Sequence, residues 1–294
     1  MRRKDIIALI LLALFAIGGQ ILKSPGPVPD DPANPRRPAP QVQSDQPWDA
    51  QTRTWLSQAP TRSRNGAPDW AGIPQTSVID IPSDRSSGSG TAFSVGPGAW
   101  LTTRHVVDGC DVLGLLVRDR KGIKITSVEH HPHADVSLVK TKGSPKAFGF
   151  GSQPFDGDDG YMIGFPKGQP GGVHGRKIGT TTLKERGRYK TRELADVWSE
   201  RSRVPDRFDS LGGLSGGPVF SEDGRFVGVV LAEERRRGRV ITAQTATVHT
   251  MFQRANVTPE TMNTDNRLTA TGYPAVARDL LTSLRVAKVV CRVR

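Results

Sequence analysis

From about Ile73 the chain is written in short apolar runs separated by glycine, proline and charged turns. Thr91–Val95 and Ala99–Thr103 flank Gly96-Pro97-Gly98 and predict a hairpin. Val112–Val117 and Ile123–Glu129 flank a charged turn and predict a second. Asp135–Thr141 and Gly160–Phe165 read as further strands, as do Val227–Ala232 and Val240–Val248. Pro218–Phe220 and Phe226–Val230 enclose Asp223-Gly224, a dipeptide that supplies the left-handed backbone a tight hairpin needs. Strands this short and this closely spaced predict an all-β barrel or sandwich. Two stretches depart from the pattern. Residues 185–209 are charged and irregular, which predicts a long surface excursion, and residues 273–290 read as an amphipathic terminal helix.

The first 70 residues follow other rules. Met1-Arg2-Arg3-Lys4 precedes Ile6–Ile17, an uninterrupted apolar run, and Ile21-Leu22 extend it. A basic stub before a short apolar core is a secretory pattern. As a helix, Ile6–Leu22 would reach ~25 Å, a little short of a ~30 Å hydrocarbon core. Residues 1–22 are therefore read as a signal anchor, with a cleaved signal peptide as the alternative. The basic stub places the N-terminus in the cytoplasm and exports the rest, facing a periplasm or secreted. Residues 23–70 are proline-dense and polar and predict an extended linker.

Composition sharpens this picture without changing it. Thirty-two glycines and 22 prolines favour turns over helices, and a 36% apolar content excludes a multi-span membrane protein. The net charge of +12 is spread over scattered arginines, which reads as a solvated surface, and no nucleic acid partner is expected. No nucleotide fingerprint is present, and no cofactor is implied. There are two cysteines, Cys110 and Cys291. An exported location permits a bridge between them, and two buried thiols are the alternative.

The candidate chemistry lies in Gly212-Gly213-Leu214-Ser215-Gly216-Gly217-Pro218. A lone hydroxyl among glycines is either a turn residue or a presented nucleophile. A serine nucleophile needs an imidazole to take its proton and a carboxylate to orient that imidazole. The backbone N–H groups of Gly213 and Ser215, two residues apart in a tight turn, could converge on one oxyanion. Six histidines are available: His105, His130, His131, His133, His174 and His249. The 130–133 cluster lacks a well-spaced acidic or cysteine partner and is read as loop histidines, with no metal site.

Taken together, "GSGTAFSV…AWLTTRHVV", "HADVSLVK" and "GGLSGGPVF" resemble the trypsin-like serine protease superfamily, in its bacterial HtrA-type form. The resemblance covers residues 73–252. It implies two six-stranded antiparallel β-barrels, about 75–142 and 146–250, with the active site between them. A short C-terminal helix and the N-terminal anchor helix complete the expected fold. The resemblance assigns His105, Asp135 and Ser215 as the triad, in the family's order. It implies a serine endopeptidase acting on protein or peptide substrates through an acyl-enzyme. Asp209, six residues before Ser215, falls where trypsins hold the carboxylate of their Arg/Lys pocket; a surface aspartate ending the loop is the alternative. Leu214 stands where animal trypsins have the Asp that pairs with a new N-terminus, so that activation route is not expected. The 253–294 segment is too short for a PDZ module and is expected to pack on the protease domain, with a Cys110–Cys291 bridge pinning it across the first barrel.

Two other classes compete with this reading. One is a protease fold retained as a binding module, engaging a partner through its basic surface. The other is a serine esterase on an α/β fold, since Gly213-x-Ser215-x-Gly217 fits the elbow pattern and His249 lies downstream. No oligomeric state follows from the sequence.

Overall fold

The computed structural model describes residues 72–116, 122–259 and 267–294, together with a two-residue strand at Thr61–Arg62. The expected anchor at 1–22 lies outside the described residues, as does nearly all of the expected linker. Among the described residues no helix is long and apolar enough to cross a membrane.

Two curved sheets carry the fold. The first is built from β3 (Gly88–Gly96), β4 (Ala99–Thr103), β5 (Val112–Leu116), β6 (Gly122–Lys124), β7 (Ser127–His130), β8 (Val136–Lys140) and β15 (Val286–Arg292). Its order is β6-β5-β15-β3-β4-β8-β7. The second holds β1 (Thr61–Arg62), β2 (Thr76–Ile81), β9 (Asp159–Gly164), β10 (Gly171–Gly187), β11 (Thr191–Val204), β12 (Pro218–Phe220), β13 (Phe226–Glu234) and β14 (Arg239–Ala243). Its order is β1-β11-β14-β13-β12-β9-β10-β2, and β10 also pairs with β11. That extra pairing closes β9 to β14 into a six-stranded barrel, with β1 and β2 added outside it. The architecture is the expected two-barrel all-β fold, with sheets of seven and eight strands in place of six and six. Among the described residues every strand pairing but the parallel β2–β10 one is antiparallel, which excludes the α/β esterase alternative.

Each barrel has its own apolar filling. Trp100, Leu115, Val139 and Val289 pack inside the first, and Met162, Trp198, Val219 and Val240 inside the second. A larger cluster joins Phe93, Leu101 and Leu138 of the first sheet to Tyr161, Ile163 and Phe220 of the second. Within this shared core Phe93 of β3 meets Phe226 of β13, with ring centroids 5.0 Å apart, so the two sheets are packed directly on one another.

Three expectations are corrected. The stretch expected as a surface excursion is mostly β11, paired with β10 as far as Glu185↔Thr191 in one long hairpin. Its charged residues hide the strand because several face inward: Glu193, Asp196 and Glu200 are buried while Leu194 is 52% exposed. The run Val240–Val248 leaves the sheet at Ala243 and continues as α2 (Thr245–Ala255). Val248, Met251, Phe252 and Ala255 are its buried side chains, at helical spacing. The terminal helix, α3 (Tyr273–Thr282), stops before Leu284, whose φ of 58° breaks it. The valine-rich remainder becomes β15, placed between β3 and β5.

Candidate active site

The site is assembled where the two sheets meet. His105 sits on α1 (Arg104–Val107), a single helical turn that starts directly after β4. Asp135 immediately precedes β8, and its carbonyl accepts the N–H of Arg104 at 3.1 Å. The register of β4 against β8 thus brings the two functional side chains together. Nδ1 of His105 lies 2.5 Å from Oδ2 of Asp135, and the backbone N–H of His105 donates to Oδ1 at 2.9 Å. The carboxylate is fully buried, whereas the imidazole is 26% exposed.

Burial alone would push the His105 imidazole down, but the adjacent Asp135 carboxylate outweighs it and holds the group above its ordinary value, with Arg188 opposing. Burial likewise opposes the charged form of Asp135. The His105 charge and hydrogen bonds from His105, Glu185 and Tyr189 nevertheless hold that carboxyl below its ordinary range.

Ser215 occupies a tight loop of the second barrel. Leu214 N–H donates to Leu211 O at 2.8 Å and Gly217 N–H to Leu214 O at 2.9 Å. Gly216 has φ +85°, and a Cβ there would sit 2.1 Å from Thr91 O, so only glycine fits. Thr91 of β3 grips the loop twice: its N–H donates to Ser215 O at 2.9 Å and its hydroxyl to Gly213 O at 2.8 Å. Lys167 N–H donates to Gly212 O at 2.6 Å, which orients the 212–213 peptide. Among the described residues no protein acceptor engages the N–H of Gly213 or of Ser215. These are the two donors expected for an oxyanion.

His105 and Ser215 line one cavity of about 310 Å³, together with Gly213, Asp84, Asp108 and Arg188. The Ser215 hydroxyl is turned toward Leu231 O, 3.3 Å away, and among the described residues it makes no hydrogen bond to His105. Cys110 and Cys291 are joined with an S–S distance of 1.99 Å, and Cys291 lines the same cavity.

Asp209 follows the second of its two readings, an acid at the surface. Its side chain is 68% exposed and lies 3.5 Å from the Lys167 ammonium. The Lys167 charge holds its carboxyl below the ordinary range. A buried, unpaired carboxylate is therefore not what stands there. A different acid reaches the loop before Ser215: Glu233 of β13 accepts the Leu211 N–H at its Oε2, 2.9 Å away.

Sequence reasoning also missed Tyr189, Glu185 and Glu193. All three come from the β10–β11 hairpin, which projects from the second barrel onto the back of Asp135. Tyr189 Oη donates to Asp135 Oδ1 at 2.8 Å, and Asp135 N–H donates to Glu193 Oε1 at 2.8 Å. No local signal pointed to them: residues 191–194 alternate with period two, but that pattern read alone turns the wrong member inward. There the acid, not the leucine, is buried.

Residues 88–229 match the family described as trypsin-like peptidase domain. The chain carries a trypsin-like peptidase domain. That domain contains His105, Asp135 and Ser215. Among solved structures, the chain is similar to the Rv3671c protease of M. tuberculosis in its active form, with 16% identity, 69% of this chain and 96% of that chain covered, and a TM-score of 0.48. It is similar to the HtrA-type protease AlgW, solved with a decapeptide, at 20% identity over 57% of this chain and 51% of that one, with a TM-score of 0.41. The MamO protease domain of Magnetospirillum magneticum is 19% identical over 58% of this chain and 96% of that one, with a TM-score of 0.41. No curated protein matches the chain.

Proposed function

We propose that the chain is an exported, membrane-tethered serine endopeptidase in which His105, Asp135 and Ser215 form the catalytic triad. The observation that carries this reading is the shared cavity: His105, held by Asp135 at 2.5 Å, opens onto the same space as Ser215. In the mechanism, the Ser215 hydroxyl turns from Leu231 O to His105 Nε2. Nε2 takes the proton as Oγ attacks the scissile carbonyl. Asp135 holds Nδ1–H and stabilises the imidazolium. The N–H groups of Gly213 and Ser215 receive the oxyanion, each donor being worth roughly 3–4 kcal/mol of barrier. His105 then protonates the leaving amine, and water hydrolyses the acyl-enzyme by the same proton relay.

The domain bounds proposed are 1–22 for the anchor, 23–70 for the linker, 73–252 for the protease and 253–294 for the C-terminal part. Residues 1–22 would hold the enzyme at the inner membrane, facing the periplasm. A preference for cleavage after Arg or Lys would require Asp209 to exchange Lys167 for the substrate cation. A peptide-library profile at neutral pH tests activity and preference together. Cleavage that is abolished in Ser215→Ala supports the enzyme, and an unchanged profile in Asp209→Asn removes that residue from specificity.

One observation favours a second reading, an idle protease fold acting as a binding module: the Ser215 hydroxyl is engaged by Leu231 O rather than by His105. That reading predicts no cleavage of any library peptide and no difference between the parent chain and Ser215→Ala.

A further inference from the structure

The hairpin that backs Asp135 brings an unusual chemistry with it. Asp135 already receives the His105 ring N–H, the His105 backbone N–H and the Tyr189 hydroxyl. A second buried acid, Glu185, reaches the same carboxylate from β10, and a ring nitrogen of His105 and carboxylate oxygens of Asp135 and Glu185 lie within 4.8 Å of one another. Glu185 is 2% exposed, and the Thr191 hydroxyl donates to its Oε2. A third acid, Glu193 of β11, is buried beside them on the Asp135 N–H. The cations near this cluster are committed elsewhere. The Arg104 guanidinium lies over the Tyr189 ring at 4.2 Å, and Arg188 pairs with Asp108 at 3.0 Å. Buried carboxyls this close, with one imidazole between them and solvent, do not all ionise.

We propose that Glu185 is present as a neutral carboxylic acid that donates its proton to Asp135, and is thereby a positioning residue for the His105–Asp135 pair. This rests on the protease reading of that pair. The chemistry is self-consistent: a protonated Glu185 gives Asp135 one more donor, whereas an ionised one sets two like charges face to face. Burial, then the Asp135 charge, then the Glu193 charge push the Glu185 carboxyl up to about 9, against the Thr191 hydrogen bond. Burial first, with the Asp135 charge also raising it against the Asp135 N–H, brings Glu193 to about 8. Tyr189 faces the cluster as a neutral phenol, its own ionisation pushed up by burial and by the Asp135 and Glu185 charges.

The test compares the full chain with Glu185→Gln and Glu185→Ala, reading kcat, KM and thermal melting from pH 6 to 10. Glutamine keeps a donor and cannot ionise. At neutral pH Glu185→Gln is expected to stay within about threefold of the parent, and Glu185→Ala to lose tenfold or more in kcat with KM little changed. On the alkaline side the parent is expected to lose activity as Glu185 ionises, near pH 9, while the glutamine variant holds its activity further. Melting gives an arm that needs no catalysis. A carboxyl raised in the folded state adds stability below its unfolded value and loses it as pH rises toward the folded one. The melting temperature of Glu185→Gln should therefore gain steadily on the parent from pH 6 to about 9. If the parent cuts nothing, the protease reading fails while melting still judges the protonation of Glu185. Parallel melting profiles for Glu185→Gln and parent would overturn the proposal, as would a glutamine variant as inactive as the alanine one.

Discussion

Thr91 shows how one side chain can serve both barrels. Its hydroxyl donates to Gly213 O and accepts the Phe165 N–H at 3.1 Å, and its backbone N–H holds Ser215 O. Replacing the hydroxyl by a methyl removes this hydrogen bond from the buried Phe165 N–H and from the part-buried Gly213 O. Thr91→Val is expected to cost roughly 1–3 kcal/mol of stability, read by denaturant unfolding. It should also lower kcat more than it raises KM, because the Gly213 peptide loses its tether; an unchanged kcat would show that the tether is irrelevant. His105 gives a second prediction. A general base must be neutral, and the Asp135 carboxylate holds this imidazole above the ordinary histidine value of about 6.5. Activity should therefore fall on the acid side with a midpoint above that value, and Asp135→Asn should abolish most of the rate. A midpoint below it would contradict the geometry. At this scale the site was legible where chemistry is carried by unusual local sequence. Ser215 announces itself through its glycines and His105 through the strand that precedes it. Glu185, Glu193 and Tyr189 were not legible, since a charged hairpin tip looks solvent-facing until a partner barrel is known to cover it.

Among the elements, the loop at Phe165–Gln169 links the C-terminal strand to the oxyanion donors. Lys288 of β15 donates from Nζ to Gly168 O at 3.0 Å, and Lys167 in the same loop holds Gly212 O. Burial lowers the affinity of the Lys288 ammonium for its proton, so this charge is held against desolvation. Lys288→Met keeps the aliphatic stem and removes the donor. It is expected to reduce kcat severalfold with KM nearly constant, and Lys288→Arg to restore part of it; an unaltered kcat would disconnect β15 from the oxyanion loop. The β15 strand itself illustrates what local pattern conceals. Residues 273–290 have one apolar density throughout, and the change from helix to strand at Leu284 follows from the gap waiting between β3 and β5. Conversely, the Asp223-Gly224 hairpin was readable because its turn chemistry is local: Pro218↔Val229 and Val219↔Gly228 pair as expected. Helix α2 was misread because Val240–Val248 alternates well enough for a strand, and only tertiary packing of Met251 and Phe252 chooses the helix.

For the molecule as a whole, the first barrel is completed by its most distant strand. The six strands from β3 to β8 fall into two groups, β5–β6 and β3-β4-β8-β7, and β15 joins them. The Cys110–Cys291 bridge closes a loop with a sequence separation of 181 residues and fastens that strand beside α1. Losing such a bridge typically costs about 2–5 kcal/mol. Cys291→Ser, or reduction of the parent, should lower the melting temperature and weaken catalysis together, measured by calorimetry and peptide cleavage on the same sample. Unchanged melting would mean that strand pairing alone holds β15. Fold class was legible at this scale, because turn density and strand spacing are properties of the whole chain. The Cys110–Cys291 bridge that pins the C-terminal segment on the first barrel was also expected; that this segment enters the sheet as a strand between β3 and β5 was not, because that pairing depends on contacts far apart in the chain.

The central claim is that Ser215 is a nucleophile activated by His105. Incubating the full chain with a fluorophosphonate and measuring intact and peptide masses tests it most directly. A single adduct on Ser215, absent from Ser215→Ala and strongly slowed in His105→Ala, is the predicted result. No adduct on Ser215 in the folded parent chain, at any pH between 6 and 9, would contradict it.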